Sequence, residues 1–146
     1  MNGTRNPTAK IVLIDTSFLL AEASPRDRNH SVARRAMQTL TGLRLVPAPV
    51  LPELFYMLKS RVDYATAINT FRRLHTGAFR IEPLTEVDMT RMDEIMTQYA
   101  DNAFDFVDVS IMALAERLNV SEIYTFDRRD FMAFRPAHRP YLRLLP

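Results

Sequence analysis

Apolar and polar positions along this chain follow two rhythms. Ile11-Val12-Leu13-Ile14 is an unbroken apolar run, the pattern of a strand buried on both faces. Leu43–Pro47, Phe79–Glu82, Glu122–Thr125 and Tyr141–Leu144 are further short segments of strand character. Between them the apolar residues recur at helical spacing, as in Val32, Ala36, Met37 and Leu40. The pattern predicts helices over Phe18–Ala23, about His30 to Leu40, from Pro49 or Pro52 to about Arg61, Tyr64–His75, Asp88–Tyr99 and Asp105–Leu118. Their ends carry chemical punctuation: Asp63 and Thr85-Glu86-Val87-Asp88 as start signals, Ser24-Pro25, Gly42, Gly77 and Asn119 as stops.

Short strands that alternate with helices, without a tight hairpin signal, predict a parallel sheet with helices on both faces. Ligands of such sheets bind outside the carboxyl ends of the strands. Asp15 stands there, directly after the first strand, and Asp127 follows the strand Ile123-Tyr124-Thr125 by two residues. An ionised carboxylate leaves water only when it is paired, hydrogen-bonded or bound to a metal. Asp15 is therefore either a helix cap or a ligand, and Thr16 and Ser17 beside it are alternative caps.

Composition narrows the class. The 146 residues, 47% hydrophobic and 25% charged, fit one soluble domain over residues 10–146 behind a loose, polar N-terminus at residues 1–9. The absence of cysteine excludes a disulfide framework and cysteine-ligated zinc. Arg5 and Lys10 precede no apolar stretch long enough for a signal peptide or membrane span, so the expectation is a cytoplasmic protein with no membrane partner. Net charge is +2, and 17 of the 19 basic residues are arginine, whose planar fork suits phosphate. A nucleic-acid partner and a plain arginine bias both fit that count. His30, His75 and His138 lie far apart without a nucleophile at motif spacing, which leaves a histidine-based triad without support.

Two more acids sit beside apolar stripes. Glu53 falls in the first turn of the helix whose inward side is Val50, Leu54, Met57 and Leu58, and Asp108 leads the stripe Ile111, Met112, Ala115 and Leu118. Each alone is explained by the helix dipole, worth about 0.3–1 kcal/mol. Together with Asp15 and Asp127 they occupy strand ends and helix starts, the same end of a doubly wound sheet. Two like charges about 4 Å apart repel by about 4 kcal/mol at an effective dielectric near 20, so such a cluster calls for protons or a cation. Without His or Cys, a hard divalent ion such as Mg²⁺ or Mn²⁺ fits, and that ion serves phosphodiester hydrolysis by activating water. Thr16 or Ser17 is placed to orient that water.

Asp15-Thr16-Ser17, Glu53 after Val50-Leu51-Pro52, Asp108 opening Asp-x-x-Ile-x-Ala, and Thr125-x-Asp127 with Asp130-Phe131 behind it resemble, in this order, a PIN domain of the VapC toxin type over about residues 10–135. The resemblance implies a three-layer α/β/α fold with a short-stranded, mainly parallel central sheet. It also implies a metal-dependent endoribonuclease, a homodimer, held inactive by a cognate antitoxin. By the family's pattern the acidic site is Asp15, Glu53, Asp108 and Asp127, with Thr16 or Ser17 in support. Asp105, a helical turn before Asp108, is the second choice, because Ile111 and Ala113 match the family's spacing after Asp108. Arg128-Arg129 adds a residue before Asp130-Phe131 relative to the commoner form, so Asp130 reads as a turn or capping residue. The two arginines are open to RNA phosphates or form a solvated loop.

Other functions compete. A phosphoacceptor receiver domain also carries acids at strand ends, but it needs a lysine near the end of the last strand, and neither Lys10 nor Lys59 is there. A dehalogenase-type phosphatase needs an acid where Ser17 stands. A catalytically idle PIN-like module that binds RNA or protein would lack acids, and all four are present.

Overall fold

The computed structural model describes residues 9–146, so the loose terminus expected at residues 1–9 lies, except for Ala9, outside the described residues. Strand β1 (Ile11–Ile14) is central in a sheet of order β3-β2-β1-β4-β5, with β2 at Leu43–Pro47, β3 at Phe79–Glu82, β4 at Glu122–Tyr124 and β5 at Arg143–Leu145. All four pairings are parallel, with Leu13 of β1 facing both Leu45 and Ile123. The expected mainly parallel sheet is parallel throughout these residues. Val12, Leu13 and Ile14 have no exposed surface, as the unbroken apolar run requires.

Parallel strands need crossovers, and helices supply them. α1 (Thr16–Ala23) and α2 (His30–Thr39) join β1 to β2, while α3 (Val50–Arg61) and α4 (Tyr64–Thr76) join β2 to β3. α5 (Glu86–Gln98) and α6 (Phe106–Arg117) carry the chain from β3 to β4, and α7 (Arg129–Ala133) lies between β4 and β5. α1 packs on α2 and α3, and α3 on α4, while α6 packs on α5 and α7. These two helical layers enclose the sheet. α6 is buried from Val107 through Ala115, which is why its apolar residues form no narrow stripe.

The predicted boundaries hold with small shifts. α1 begins at Thr16 because Asp15 takes the N-cap position, two residues before the expected Phe18. Asn119 adopts a left-handed φ of +54° just past α6, as a stop residue should. Gly42 enters β2 at φ +102°, where a Cβ would meet the Lys10 carbonyl at 2.5 Å. That close approach lets Leu43 N–H donate to Lys10 C=O at 2.7 Å and sets the β1–β2 register. Two features differ from expectation. The last strand is Arg143–Leu145 rather than Tyr141–Leu144, since Tyr141 stays in solvent and pairing starts where Arg143 N–H reaches the Ser121 carbonyl. α7 has no counterpart in the predicted elements, because five residues are too few to display a helical period.

Candidate metal centre

The strand order reverses between β1 and β4: β1 leads the chain to one side of the sheet and β4 to the other. A crevice opens at such a switch point, beyond the carboxyl ends of both strands. Asp15 N–H donates to the Tyr124 carbonyl at 3.0 Å, so the residue after β1 is fastened to the end of β4. A cavity of about 450 Å³ lies there. Its wall includes all seven residues singled out in the sequence: Asp15, Thr16, Ser17, Glu53, Asp105, Asp108 and Asp127.

The Asp15 side chain is fixed from several directions. Its Oδ1 accepts from Thr16 N–H at 2.7 Å, and its Oδ2 accepts from the Thr125 hydroxyl at 2.7 Å. Ser17 Oγ lies 3.3 Å from the same Oδ2 and 3.1 Å from Thr125 Oγ1, and it accepts from Phe126 N–H at 2.9 Å. Asp127 N–H donates to Thr125 Oγ1 at 3.0 Å. Asp15 is thus a cap and an anchored carboxylate at once, so the two alternatives left open by the sequence are compatible. Thr125, with no exposed surface, ties the β1 and β4 termini together. Its functional position was visible only as the first residue of Thr-x-Asp.

The acids fall into two groups. Asp105, Asp108 and Asp130 bring carboxylate oxygens within 4.8 Å of one another. Asp105 is the N-cap residue of α6 but makes no capping hydrogen bond, and Asp108 is buried one turn later. The spacing of three residues puts both on one face, so Asp105 and Asp108 are neighbours. Asp130, read from sequence as a turn or cap, enters this trio from the first turn of α7. The signal for it was the three-residue step from Asp127, which becomes informative only once a helix is known there. Glu53 and Asp127 are exposed at the cavity wall.

Electrostatics separate this cluster from the rest of the protein. Burial pushes the Asp15 carboxyl up to about 6, against the hydrogen bonds from Thr125 and Thr16, and the charges of Glu53 and Asp127 add to the rise. Burial, then the charge of Asp15 and the contact with Asp130, pushes Asp108 up to about 8. Among the described residues the other buried carboxylates are Glu22, Glu82, Asp88 and Glu122. Each has an Arg or Lys within 4 Å: Arg73, Arg117, Arg117 and Lys10 in turn. Among the described residues Asp15 and Asp108 have none. Six acids and two bases, Arg28 and Arg61, line the cavity.

This donor set is all oxygen, which fits a hard cation. Thr16 Oγ1, also in the cavity wall, is buried without a hydrogen-bond partner among the described residues, a further oxygen ready to accept or donate there. The acidic cluster could hold a metal ion. The histidines take no part: His30 Nδ1 and His138 Nε2 bond the carbonyls of Ala21 and Val120, at 2.9 and 2.7 Å, and His75 stacks on Phe71. Lys10 is engaged by Glu122 at the opposite end of β4, which leaves no receiver-type lysine beside Asp15.

A parallel α/β domain with a carboxylate cluster at its switch point defines a class, and comparison with known proteins gives it a family. The family model described as PIN domain matches residues 12–135, and the chain belongs to that family. Ribonuclease VapC26 of Mycobacterium tuberculosis is 29% identical over 125 residues, spanning 86% of this chain and 93% of that protein. The crystal structure of Mycobacterium tuberculosis VapC20, a sarcin-ricin loop cleaving toxin, superimposes with a TM-score of 0.74 at 24% identity, covering 80% of this chain and 90% of that one. VapBC2 from Rickettsia felis, bound to a DNA fragment from its promoter, gives 0.66 at 14% identity over 92% of this chain and 96% of that chain. These solved structures share the fold.

Proposed function

We propose that this protein is a metal-dependent endoribonuclease, the toxin of a toxin–antitoxin pair, acting in the cytoplasm. The observation that carries the reading is the contrast in charge compensation: among the described residues Asp15 and Asp108 are buried without a basic partner, whereas the other buried carboxylates have one. A divalent ion, Mg²⁺ or Mn²⁺, matches the oxygen donors of Asp15, Asp108, Asp105 and Asp130, with Glu53 and Asp127 at the margin. When bound, such an ion supplies the Lewis acid that phosphodiester hydrolysis needs at neutral pH.

The chain's own groups do the rest. Thr125 and Thr16 hold the Asp15 carboxylate in one orientation, and Ser17 braces it. Arg28 and Arg61 meet the phosphate that enters an otherwise negative cavity. The reading includes a cognate antitoxin protein and a homodimeric state; the VapBC assembly among the structural relatives supports the former. Tyr56, Tyr64 and Phe71, exposed on α3 and α4, offer apolar surface to such a partner. Among the described residues, no helix is long and apolar enough to cross a membrane.

Asp15→Asn tests the reading. With purified protein, RNA cleavage is expected with Mg²⁺ or Mn²⁺ and none with EDTA. The variant should lose at least about a hundredfold in rate while its circular dichroism is unchanged. Cleavage at the wild-type rate by that variant overturns the assignment. Calorimetric titration with Mn²⁺ should show binding that weakens in both Asp15→Asn and Asp108→Asn.

A further inference from the structure

Positive charge is concentrated at the carboxyl end of this chain. Residues 128–146 hold five arginines and one acid, Asp130, a net +4, while the preceding residues hold 14 bases and 16 acids and are net negative. The last 19 residues therefore account for more than the whole molecule's +2. This segment encloses a concave site of about 500 Å³, separate from the acidic cavity, whose wall includes Arg128, Met132, Arg135, Tyr141 and Arg143. Tyr141 is 68% exposed there and Met132 64%.

Hydrogen bonds hold these arginines in place, and Arg135 is held by peptide carbonyls alone among the described residues. Arg128 donates to the oxygen of Pro146, the last residue of the sequence, and Arg135 donates to the Met132 carbonyl at 2.6 Å and the Phe134 carbonyl at 3.2 Å. Backbone carbonyls orient a guanidinium and leave its charge and remaining N–H groups available. Arg143 meets a side-chain carboxylate, Glu122 at 3.4 Å, which Lys10 already pairs at 2.8 Å. An exposed aromatic ring that shares a groove with arginines is the composition of a single-strand nucleic-acid surface, where bases stack and phosphates meet cations.

α7 connects this groove to the metal centre. Asp130 projects toward Asp105 and Asp108, while Met132, about 200° further round the helix, lines the groove. Asp127 lines the acidic cavity and the next residue, Arg128, lines the groove. The two sites thus adjoin at the Asp127–Arg128 step of the chain.

We propose that the groove formed by Arg128, Met132, Arg135 and Tyr141 binds the single-stranded RNA that flanks the cleavage site, with a base stacked on Tyr141. The inference rests on the nuclease reading above and adds a second RNA contact surface. An acidic protein segment is the competing occupant.

The test is fluorescence anisotropy with a labelled single-stranded RNA of about 12 nucleotides, long enough for both surfaces, on the full chain in EDTA. Tyr141→Ala should weaken binding about tenfold and Tyr141→Phe should restore it, since the ring is what stacks. Arg128→Gln combined with Arg135→Gln should flatten the slope of log affinity against log salt by about 1.4, two phosphate contacts on a single strand. All three substituted side chains are exposed, so circular dichroism should be unchanged. Unchanged affinity and salt slope in these variants, with wild-type cleavage intact, overturn the groove and leave the nuclease standing. Duplex RNA bound as tightly as single-stranded RNA overturns it too, because paired bases cannot stack on Tyr141. An acidic peptide whose binding is lost in the variants while RNA affinity is kept assigns the groove to a protein. Absence of both RNA binding and cleavage in the wild type removes the nuclease reading and this inference together.

Discussion

Asp88 and Asp108 are both carboxylates taken out of water, and the protein treats them in opposite ways. Asp88 closes the capping box of α5, accepting from Thr85 N–H at 2.8 Å and from the Thr85 hydroxyl at 3.0 Å. Arg117 Nε reaches its other oxygen at 2.7 Å and also pairs Glu82 at 3.2 Å. Burial raises the Asp88 carboxyl, but the Arg117 and Thr85 hydrogen bonds outweigh it and hold the group below the usual carboxylate range. Asp108 is buried beside Asp15, Asp105 and Asp130 with no Arg or Lys within 4 Å among the described residues, and its carboxyl is raised to about 8. Charge compensation in the first region is covalently part of the chain. In the second it is left to protons or a bound cation, and that difference separates a structural ion pair from a candidate binding site.

The largest effect should come from breaking the first region. Arg117→Ala leaves Asp88 buried without its cation and Glu82 with only the longer contact to exposed Arg80 at 3.8 Å, and should destabilise the fold by about 3–5 kcal/mol, read from urea denaturation. The same experiment on the second region should change sign. Asp108→Asn removes a like charge from an uncompensated cluster and should stabilise the metal-free protein at pH 8 by about 1–3 kcal/mol. Equal losses in the two variants would mean that Asp108 is as well compensated as Asp88.

The comparison sharpens with pH. Asp15 near 6 and Asp108 near 8 lie above the ordinary carboxylate value of about 4, so the folded protein holds more protons than the unfolded chain between about pH 4 and 8. Metal-free stability contributed by these two groups therefore falls as pH rises through that window. Asp88, shifted the other way, contributes stability that is present above the ordinary value and lost on acidification. Urea midpoints in EDTA at pH 5, 6.5 and 8 should decline for the wild type and flatten in Asp108→Asn. Added Mn²⁺ should reverse the decline at pH 8, because ligand bound to the folded state stabilises it by mass action.

The same contrast explains how much could be read beforehand. The apolar run Ile11–Ile14 announced a buried parallel strand, and Thr85-Glu86-Val87-Asp88 announced a helix start, because both are local patterns whose physics needs no distant partner. The position of Asp15 after a buried strand was legible for the same reason, and the switch-point rule brought Asp127 beside it. Asp130 was not legible, since α7 is shorter than two helical turns and the trio with Asp105 and Asp108 is a tertiary meeting. The arginine partnerships of Asp88 and Glu22 were equally hidden, being contacts across 29 and 51 residues. Knowing that an acid is buried requires only a pattern, whereas knowing whether it is compensated requires the fold.

The smallest of these effects probes the join between the strand ends. Thr125→Val keeps the shape of a fully buried side chain and removes the hydroxyl that donates to Asp15 Oδ2 and accepts from Asp127 N–H. The loss should cost about 1 kcal/mol in stability, the net value of a buried hydrogen bond. Its more telling consequence is electrostatic. The Thr125 hydrogen bond is the largest influence lowering the Asp15 carboxyl against burial, so its removal drives that group further up. The acidic limb of the pH–rate profile for RNA cleavage should then move to higher pH, with the plateau rate reduced less than in Asp15→Asn. A plateau loss without movement of the limb would assign Thr125 a packing role and leave Asp15 held by Thr16 and Ser17 alone.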